Sequence, residues 1–168
     1  MSLLDGWIYC PRCAGQLTRH GDRVECAECG FVLYGHSAVT ASALPEDDQG
    51  RLLLARRGVE PDRGLWDCLG GFVHEGEHPL DGVRREVHEE TGVDFAPGDL
   101  LGTWTGSYDG RATLNLFWRG RLSTGEPRPS DDVAELRWFA REALPADDEL
   151  AFAPLIPDVL RAWREEGA

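Results

Sequence analysis

Three glutamates, Glu86, Glu89 and Glu90, lie at spacings that place their carboxylates on one face of a helix. Pro79 is typical of the first turn of a helix, where its missing N–H costs no hydrogen bond, and Gly92 is typical of the residue just beyond the last turn. Apolar residues recur between them at intervals of three and four, which predicts a second, buried face. The sequence therefore predicts a helix over residues 79–91 that presents a row of acids.

A divalent-cation site is the chemistry that this cluster suits. On an exposed helix, like charges at these spacings cost only about 0.2–0.5 kcal/mol per pair, so a solvated acidic face is the alternative. In a cleft, two carboxylates ~5 Å apart repel by ~3 kcal/mol at an effective dielectric of ~20. Mg²⁺ or Mn²⁺ would relieve that repulsion, because both ions prefer oxygen ligands. The expected metal ligands are the backbone carbonyl near Gly71 and the side chains of Glu86, Glu89 and Glu90.

Residues upstream of the acids complete a longer pattern. It runs Gly71, five residues, Glu77, seven residues, and then Arg-Glu-Val-His-Glu-Glu-Thr-Gly-Val over residues 85–93. We expect Arg85 to pair with Glu77 or Glu89, because the guanidinium fork suits carboxylates. The whole pattern resembles the Nudix box, and every defining position of that box is filled.

This resemblance implies a Mg²⁺-dependent Nudix hydrolase that cleaves the diphosphate linkage of a nucleoside diphosphate derivative, such as a dinucleotide, ADP-ribose or a nucleotide sugar. It also implies an α/β fold, the Nudix-type α/β/α sandwich with a mixed sheet. The residues that match its catalytic positions are Arg85, Glu86, Glu89 and Glu90. The acids that could accept a proton from the attacking water are Glu89 and, in a downstream loop, Glu126, Asp131, Asp132 and Glu135.

Four cysteines near the amino terminus form two C-x2-C pairs, Cys10 with Cys13 and Cys26 with Cys29, separated by twelve residues. This spacing is typical of a tetrahedral four-thiolate Zn²⁺ site of the zinc-ribbon type. Two disulfides are the weaker alternative, because no secretory signal precedes the cysteines and C-x2-C pairs favour metal. We therefore predict that these cysteines hold a structural Zn²⁺.

The cysteine spacing predicts a zinc ribbon over residues 1–36, and the resemblance to the Nudix box implies a Nudix hydrolase domain over residues 37–168. A ribbon followed by a Nudix box resembles the NADH diphosphatase branch of the family. That branch carries a Ser-Gln-Pro-Trp stretch after the box, whereas residues 101–108 here read Leu-Gly-Thr-Trp-Thr-Gly-Ser-Tyr. The sequence therefore does not identify the substrate. A second hypothesis is a non-catalytic Nudix module that senses a nucleotide or binds a partner through the ribbon.

The composition limits the partners and the compartment. The chain of 168 residues has a formal net charge of −13, so its surface repels nucleic acids and anionic membranes. The ribbon lacks a positive patch, which favours a structural or dimer-forming role and allows a homodimer. No apolar stretch approaches the ~20 residues of a membrane span, and we expect a cytoplasmic protein with reduced thiols. The absence of lysine excludes a Schiff-base lysine and a G-x4-G-K P-loop.

Turn signals and periodicity predict the elements that position these groups. Residues 37–44 and 51–56 are predicted as strands that pair across the turn-rich segment 45–50. The other predicted elements are a hairpin of residues 101–108 and 112–122 about Asp109-Gly110, a strand at 135–139 and a helix at 158–166.

Candidates for substrate contacts are two arginines and two aromatic residues, Arg56, Arg111, Trp66 and Tyr108. The arginines would bind phosphate and the rings would stack on a base. Packing in the core is the favoured alternative for each tryptophan.

Overall fold

The computed structural model describes residues 3–166, which form two compact units. The first comprises the described residues up to Ala38 together with Ser107–Thr113, and the second comprises Val39–Gly106 and the chain from Leu114 onward. Among residues 3–166, no helix has both the length and the hydropathy that crossing a membrane requires. The boundary between residues 36 and 37 stays a prediction.

The first unit contains a small antiparallel sheet of β1 (Leu17–His20), β2 (Arg23–Cys26) and β3 (Val32–Tyr34), in that order. Leu17 pairs with Cys26, so the second cysteine pair starts at the end of a strand. This strand end anchors one side of the cysteine cluster.

The remaining elements follow along the chain. They are β4 (Ala38–Pro45), β5 (Leu52–Arg57), β6 (Trp66–Asp67), β7 (Leu69–Phe72), α1 (Pro79–Thr91), β8 (Phe95–Tyr108), β9 (Arg111–Leu122), β10 (Val133–Phe139) and α2 (Leu155–Glu166). The strands form two sheets, with the orders β7-β4-β9-β8 and β10-β5-β6. The predicted helix over 79–91 and the hairpin about Asp109-Gly110 are both confirmed. Helix α2 starts three residues earlier than predicted, at Leu155 rather than 158.

The four-stranded sheet is mixed, as predicted. Strand β4 runs antiparallel to β7. It runs in the same direction as β9, because Thr40 bonds to Asn115 (2.7 Å) while Glu46, further along β4, bonds to Gly120, further along β9 (2.8 Å). A parallel neighbour on one side and an antiparallel neighbour on the other define a mixed sheet.

The predicted pairing between residues 37–44 and 51–56 is wrong. Strand β5 pairs with β10 and β6 in the other sheet, and the isolated bridge from Leu52 reaches Glu46 in the turn segment rather than a residue of 37–44. The carboxylate of Asp47 accepts hydrogen bonds from the Arg51 and Gln49 N–H groups, which shapes the turn that redirects the chain. Because Leu52 to Ala55 are all buried, β5 needs cover on both faces rather than a solvated hairpin position.

The two helices cover opposite faces of the sheets. In β5, Leu52 and Leu54 lie in one core cluster with the α2 residues Val159 and Trp163, whereas Leu53 lies in the other cluster. That other cluster contains the α1 residues Val83 and Val87. Since neighbouring strand residues point to opposite faces, the helices enclose the sheets between them. The predicted α/β/α sandwich is confirmed.

Candidate active site

The acidic helix α1 begins and ends at residues suited to capping. Pro79 occupies the start of the helix, and the His78 ring accepts a hydrogen bond from the Leu80 N–H at 3.2 Å. Gly92 follows the last turn with φ 70°, a left-handed conformation that costs glycine little, and its N–H bonds to the His88 carbonyl. These caps fix the helix register and thereby the direction of each glutamate.

Arg85 lies among the acids and bonds to three of them. Its Nε and Nη2 donate to the two carboxylate oxygens of Glu77 at 2.9 and 3.0 Å. Its Nη1 donates to Glu86 at 2.8 Å and to Glu89 at 3.1 Å. The hydrogen bonds from Arg85 and from the His74 N–H lower the pKa of Glu77 to about 2. Arg85 thus pairs with both of the partners that the sequence left open.

Glu86 lies against the backbone of Gly71. A β-carbon added to Gly71 would be 2.5 Å from the carboxylate carbon of Glu86, so any larger residue would have to displace this side chain from its present position. Burial raises the pKa of Glu86, and the neighbouring Arg85 opposes that rise. The structure therefore brings together Gly71 and Glu86, two of the four residues predicted to bind the metal.

Glu90 turns inward and is only 6% exposed. One of its carboxylate oxygens accepts a hydrogen bond from the Gly70 N–H at 2.9 Å. Burial raises the pKa of Glu90 well above its ordinary value, and the charges of Asp132, Asp67 and Glu86 raise it further. Within residues 3–166, no ion pair compensates this carboxylate. A buried anion beside other anions is a natural place for a cation.

Glu89 is the most accessible acid of the three. Its side chain is 46% exposed, against 15% for Glu86, and it contacts Arg85 alone among the described ion pairs. The carboxylates therefore lie at three depths, with Glu90 innermost, Glu86 between and Glu89 at the surface. Such a graded set can hold a hard cation and still leave one carboxylate in contact with solvent.

Asp67 is a further acid of this site that the sequence analysis missed. It lies on β6, pairs with Arg57 at 3.2 Å, and accepts a hydrogen bond from the Cys68 N–H at 2.8 Å. Burial raises the pKa of Asp67 to about 6, against the opposing effect of Arg57. The sequence places this carboxylate between Trp66 and Cys68, two residue types that are commonly buried, and both are buried in the structure.

Asp132 is the downstream acid whose charge reaches the buried glutamate. Its charge contributes to the raised pKa of Glu90, after burial. The loop that carries it is tied down, because the Ser130 N–H bonds to the Glu90 carbonyl at 3.0 Å and the Gly58 N–H bonds to the Asp132 carbonyl at 2.6 Å. The other three candidate bases lie at the surface or pair with arginine, namely Glu126, Asp131 and Glu135.

The four candidates for substrate contacts are in different surroundings. Arg56 is exposed in the second unit. Trp66 is buried in the core and packs edge-on against Phe139, with ring centroids 4.9 Å apart. This position agrees with core packing, the alternative to stacking on a base. Tyr108 and Arg111 flank the hairpin turn and belong to the first unit. The substrate role of all four stays a prediction.

The four candidate zinc ligands lie together in the first unit. Their sulfur atoms are all within 4.8 Å of one another, and the Cys10–Cys29 and Cys13–Cys26 pairs are each 3.5 Å apart. Sulfurs bound tetrahedrally to zinc at ~2.3 Å would be ~3.8 Å apart, so the cluster fits this ion closely. All five cysteines are free thiols.

Backbone N–H groups point at the sulfur atoms of this cluster. Arg12 N–H donates to the Cys10 sulfur and Gly15 N–H to the Cys13 sulfur, each at 3.4 Å. Burial raises the pKa of the Cys10 thiol, but hydrogen bonds from the Arg12 and Cys13 N–H groups and from other thiols bring it down to about 7. The hydrogen bond from the Gly15 N–H is outweighed by those with Cys29 and Cys26, which raise the pKa of Cys13 to about 12, and the pKa of Cys29 is raised as well. The spacing of the sulfurs, and not the acidity of the thiols, is therefore what makes the cluster compatible with zinc.

Known proteins resemble the chain over most of its length. It is 33% identical over 138 residues to an ADP-ribose pyrophosphatase of Methanocaldococcus jannaschii, covering 80% of this chain and 79% of that protein. It is 28% identical over 140 residues to the NAD-capped RNA hydrolase NudC of Pseudomonas aeruginosa, covering 82% of this chain and 49% of NudC. The chain thus spans about half the length of its NudC relative.

Solved structures and family membership agree with these relatives. The crystal structure of a NUDIX hydrolase from Nitrosomonas europaea matches with a TM-score of 0.79 and 26% identity, covering 94% of this chain and 90% of that one. Residues 36–159 match the family model of the NUDIX domain. This span contains all the acids of the site, from Asp67 to Asp132. The chain belongs to the NUDIX family.

Proposed function

We propose that this protein is a Mg²⁺-dependent Nudix pyrophosphohydrolase that cleaves the diphosphate linkage of a nucleoside diphosphate derivative. The observation that carries the proposal is the surroundings of Glu90, a buried carboxylate near Asp67, Glu86 and Asp132. Burial and these like charges raise the pKa of Glu90, so the anion needs positive charge that a divalent cation would supply. Burying a carboxylate near three other acids would only destabilise a helix whose role was packing alone.

The residues that would hold Mg²⁺ or Mn²⁺ are Gly71 through its carbonyl, Glu86, Glu89 and Glu90. When bound, the ion would neutralise phosphate charge and lower the pKa of a water nucleophile. Arg85 fixes the direction of the Glu86 and Glu89 carboxylates through hydrogen bonds from one nitrogen. The proton of the attacking water would pass to Glu89, which is exposed, or to Asp132, which lies on the tethered loop.

The relatives support a substrate class. One is named an ADP-ribose pyrophosphatase and shares 33% identity with most of this chain, and another is named an NAD-capped RNA hydrolase. ADP-ribose and NAD each contain an adenosine that a diphosphate joins to a second group, which is the linkage that the proposed hydrolase would cleave. ADP-ribose and dinucleotides of the NAD type are therefore the first substrates that we propose for this protein.

We further propose that Cys10, Cys13, Cys26 and Cys29 bind a structural Zn²⁺. The spacing of the four sulfur atoms, all within 4.8 Å of one another, supports this assignment. A four-thiolate site has no open position for a substrate, so the ion would stabilise the small unit rather than take part in hydrolysis.

A substrate panel with Mg²⁺ tests the hydrolase proposal. ADP-ribose, NADH, diadenosine polyphosphates, nucleotide sugars and nucleoside triphosphates are incubated with the full chain, and phosphate-containing products are separated by chromatography. We expect Glu89→Gln and Glu90→Gln to lower turnover by about 100-fold or more. Glu165→Gln, an exposed substitution of the same kind on α2, is the matched control and keeps full activity.

Two outcomes would count against the proposal. Wild-type turnover in both the Glu89→Gln and Glu90→Gln proteins would remove the acids from catalysis. Tight binding of a nucleotide with no product after long incubation, with Mg²⁺ or Mn²⁺ supplied, would instead favour the non-catalytic sensing module.

A further inference from the structure

The second unit contains a cavity of about 270 Å³ whose charged lining is mainly positive. Its lining includes three arginines, one glutamate and two glycines, namely Arg56, Arg57, Arg63, Glu135, Gly58 and Gly64. The whole chain carries a net charge of −13, so an excess of cations at one cavity runs against the charge of the molecule. A local excess of this kind attracts small anions to an acidic protein.

Two of these guanidinium groups are held in place by backbone carbonyls. Arg56 donates through Nε to the Gly64 carbonyl at 2.7 Å. Arg57 donates through Nε to the Pro61 carbonyl at 2.8 Å and through Nη1 to Asp67 at 3.2 Å. Both carbonyls belong to the loop between β5 and β6. The remaining N–H groups of a fixed guanidinium are already ordered for an anion, which lowers the entropy lost on binding.

The charges of the three arginines are compensated to different degrees. Arg57 has a close acid in Asp67. Arg56 reaches Glu135 only at 3.4 Å, and Glu135 is shared with Arg137. Arg63 is exposed and makes no hydrogen bond or ion pair within residues 3–166. Positive charge is therefore least compensated on Arg63 and only partly compensated on Arg56.

A comparison cavity in the same unit has the opposite balance. Its volume is about 330 Å³, and Arg121 lines it together with three acids, Glu46, Asp47 and Asp48. Arg121 is paired with Asp48. Both cavities thus contain an arginine, but of the two only the cavity around Arg63 has an excess of positive charge.

We propose that the cavity formed by Arg56, Arg57 and Arg63 is a phosphate-binding subsite beside the acidic site. Arg57 connects the two, because it lines the cavity and pairs with Asp67, whose charge acts on Glu90. A volume of about 270 Å³ is below the ~300–1,000 Å³ of pockets that enclose drug-sized ligands. It suits a phosphate group, alone or with a sugar, rather than a whole dinucleotide.

The bound phosphate has two sources of the same chemistry, a phosphoryl group of the substrate or free inorganic phosphate. The assignment to substrate rests on the proposed hydrolase function, whereas phosphate binding by the cavity does not. The two sources differ in what they do to kinetics, because a substrate contact changes KM while a free anion acts as a separate ligand.

Titration of inorganic phosphate into the Mg²⁺-free full chain tests the subsite directly. Binding is measured by calorimetry and by the NMR signals of arginine side-chain N–H groups. We expect saturable binding that Arg63→Gln and Arg56→Gln each weaken by about ten-fold, the effect of losing one charged hydrogen bond. Arg121→Gln removes the same charge from the comparison cavity and leaves binding unchanged. No saturable binding in the wild type, or equal binding in all four proteins, would overturn the proposal.

Kinetics with ADP-ribose and Mg²⁺ assign the source. A KM raised about ten-fold in Arg63→Gln with kcat nearly unchanged identifies the substrate's phosphate. An unchanged KM together with lost phosphate binding identifies free phosphate as the ligand. If no tested substrate is hydrolysed but phosphate binding depends on Arg63, the subsite stands and the hydrolase proposal falls. If hydrolysis occurs but phosphate binding does not depend on Arg56 or Arg63, the hydrolase proposal stands and the subsite proposal falls.

Discussion

The acidic site and the cysteine cluster are the two places where we propose metal ions, but they are assembled from very different lengths of chain. The cysteine sulfurs come from residues 10–29 and lie within 4.8 Å of one another. The acids extend from Asp67 on β6, through helix α1, to Asp132 before β10, and they differ in depth. Short-range turns are sufficient to gather the cysteines, whereas the acids need the packing of the whole second unit.

This difference predicts that the two proposed metal ions contribute differently to stability. The first unit has a sheet of short strands and few buried apolar side chains. A small core of this kind needs further stabilisation, which a metal ion bound by the four cysteines would provide. The second unit has two large core clusters that do not include the acids as members. We therefore expect metal loss to unfold the first unit and to leave the second unit folded.

Removal of zinc is the largest effect that we expect. Chelation, or the substitution Cys26→Ser, should unfold residues 3–38, because structural zinc sites contribute about 10–16 kcal/mol of apparent binding free energy. The measurement is the loss of dispersed amide NMR signals from this unit, with zinc content determined by elemental analysis. Cys68→Ser, which changes a buried cysteine outside the cluster, is the control for zinc content. Finding no zinc in the wild-type protein would contradict the assignment.

Gly71→Ala is expected to give the next largest effect. The new β-carbon would overlap the Glu86 carboxylate at 2.5 Å and displace it, so Mg²⁺ affinity and turnover should fall by about 10–100-fold. Gly98→Ala adds the same methyl group on β8, where the nearest atom is 3.3 Å away, and serves as control. Magnesium titrations of activity would show the shift. An unchanged magnesium dependence in Gly71→Ala would mean that Glu86 is no ligand.

Arg85→Lys tests the role of the guanidinium fork. Lysine keeps the charge but cannot bond to Glu77, Glu86 and Glu89 together, so kcat should fall by about ten-fold while the thermal midpoint changes little. Arg84→Lys, on the neighbouring exposed position of α1, is the matched control. Equal kcat values for the two lysine variants would limit Arg85 to a structural pairing.

The smallest expected effect is a pH dependence of stability. Burial raises the folded pKa of Asp67 to about 6, above the unfolded value of ~3.9, so its stabilising contribution is complete below ~4 and is lost as the pH rises through 6. The free energy of unfolding of Mg²⁺-free protein should therefore fall by up to about 2–3 kcal/mol over this range. Denaturant titrations from pH 4 to 7 measure it.

Asp67→Asn should make the fall in stability between pH 4 and 7 less steep, and the raised pKa values of Glu90 and Glu86 account for the slope that remains. Glu165→Gln, at an exposed position, should leave the slope as it is. Equal slopes in Asp67→Asn and wild type would show that another group titrates. Added Mg²⁺ should also reduce the slope, because a cation near Glu90 compensates the same negative charge.

Features fixed by local chemistry were predictable from the sequence. Pro79 and Gly92 define the ends of α1, Asp109-Gly110 predicts the hairpin turn, and the C-x2-C pairs predict the sulfur cluster. In each case the residues that decide the structure are neighbours in the chain. The resemblance to the Nudix box then supplied the sandwich, which periodicity alone does not single out.

Features fixed by distant contacts were not predictable in this way. Strand β5 was assigned to the wrong partner because a turn near Asp47 does not reveal which sheet the next strand joins. Asp67 was missed because its importance comes from Arg57 and Glu90, which lie elsewhere in the sequence. The depth of Glu90 likewise depends on the Gly70 backbone and not on helical spacing.

The position of Arg85 has a consequence for the arrangement of the acids in the metal-free protein. One guanidinium spans Glu77, Glu86 and Glu89, and so acts as a resident counter-ion that travels with the chain. If magnesium is the ion bound here, as we propose, the acids need not separate in its absence, and an arriving ion would meet ligands that are already aligned. Such preorganisation would speed the binding of the ion, because little rearrangement would have to precede it.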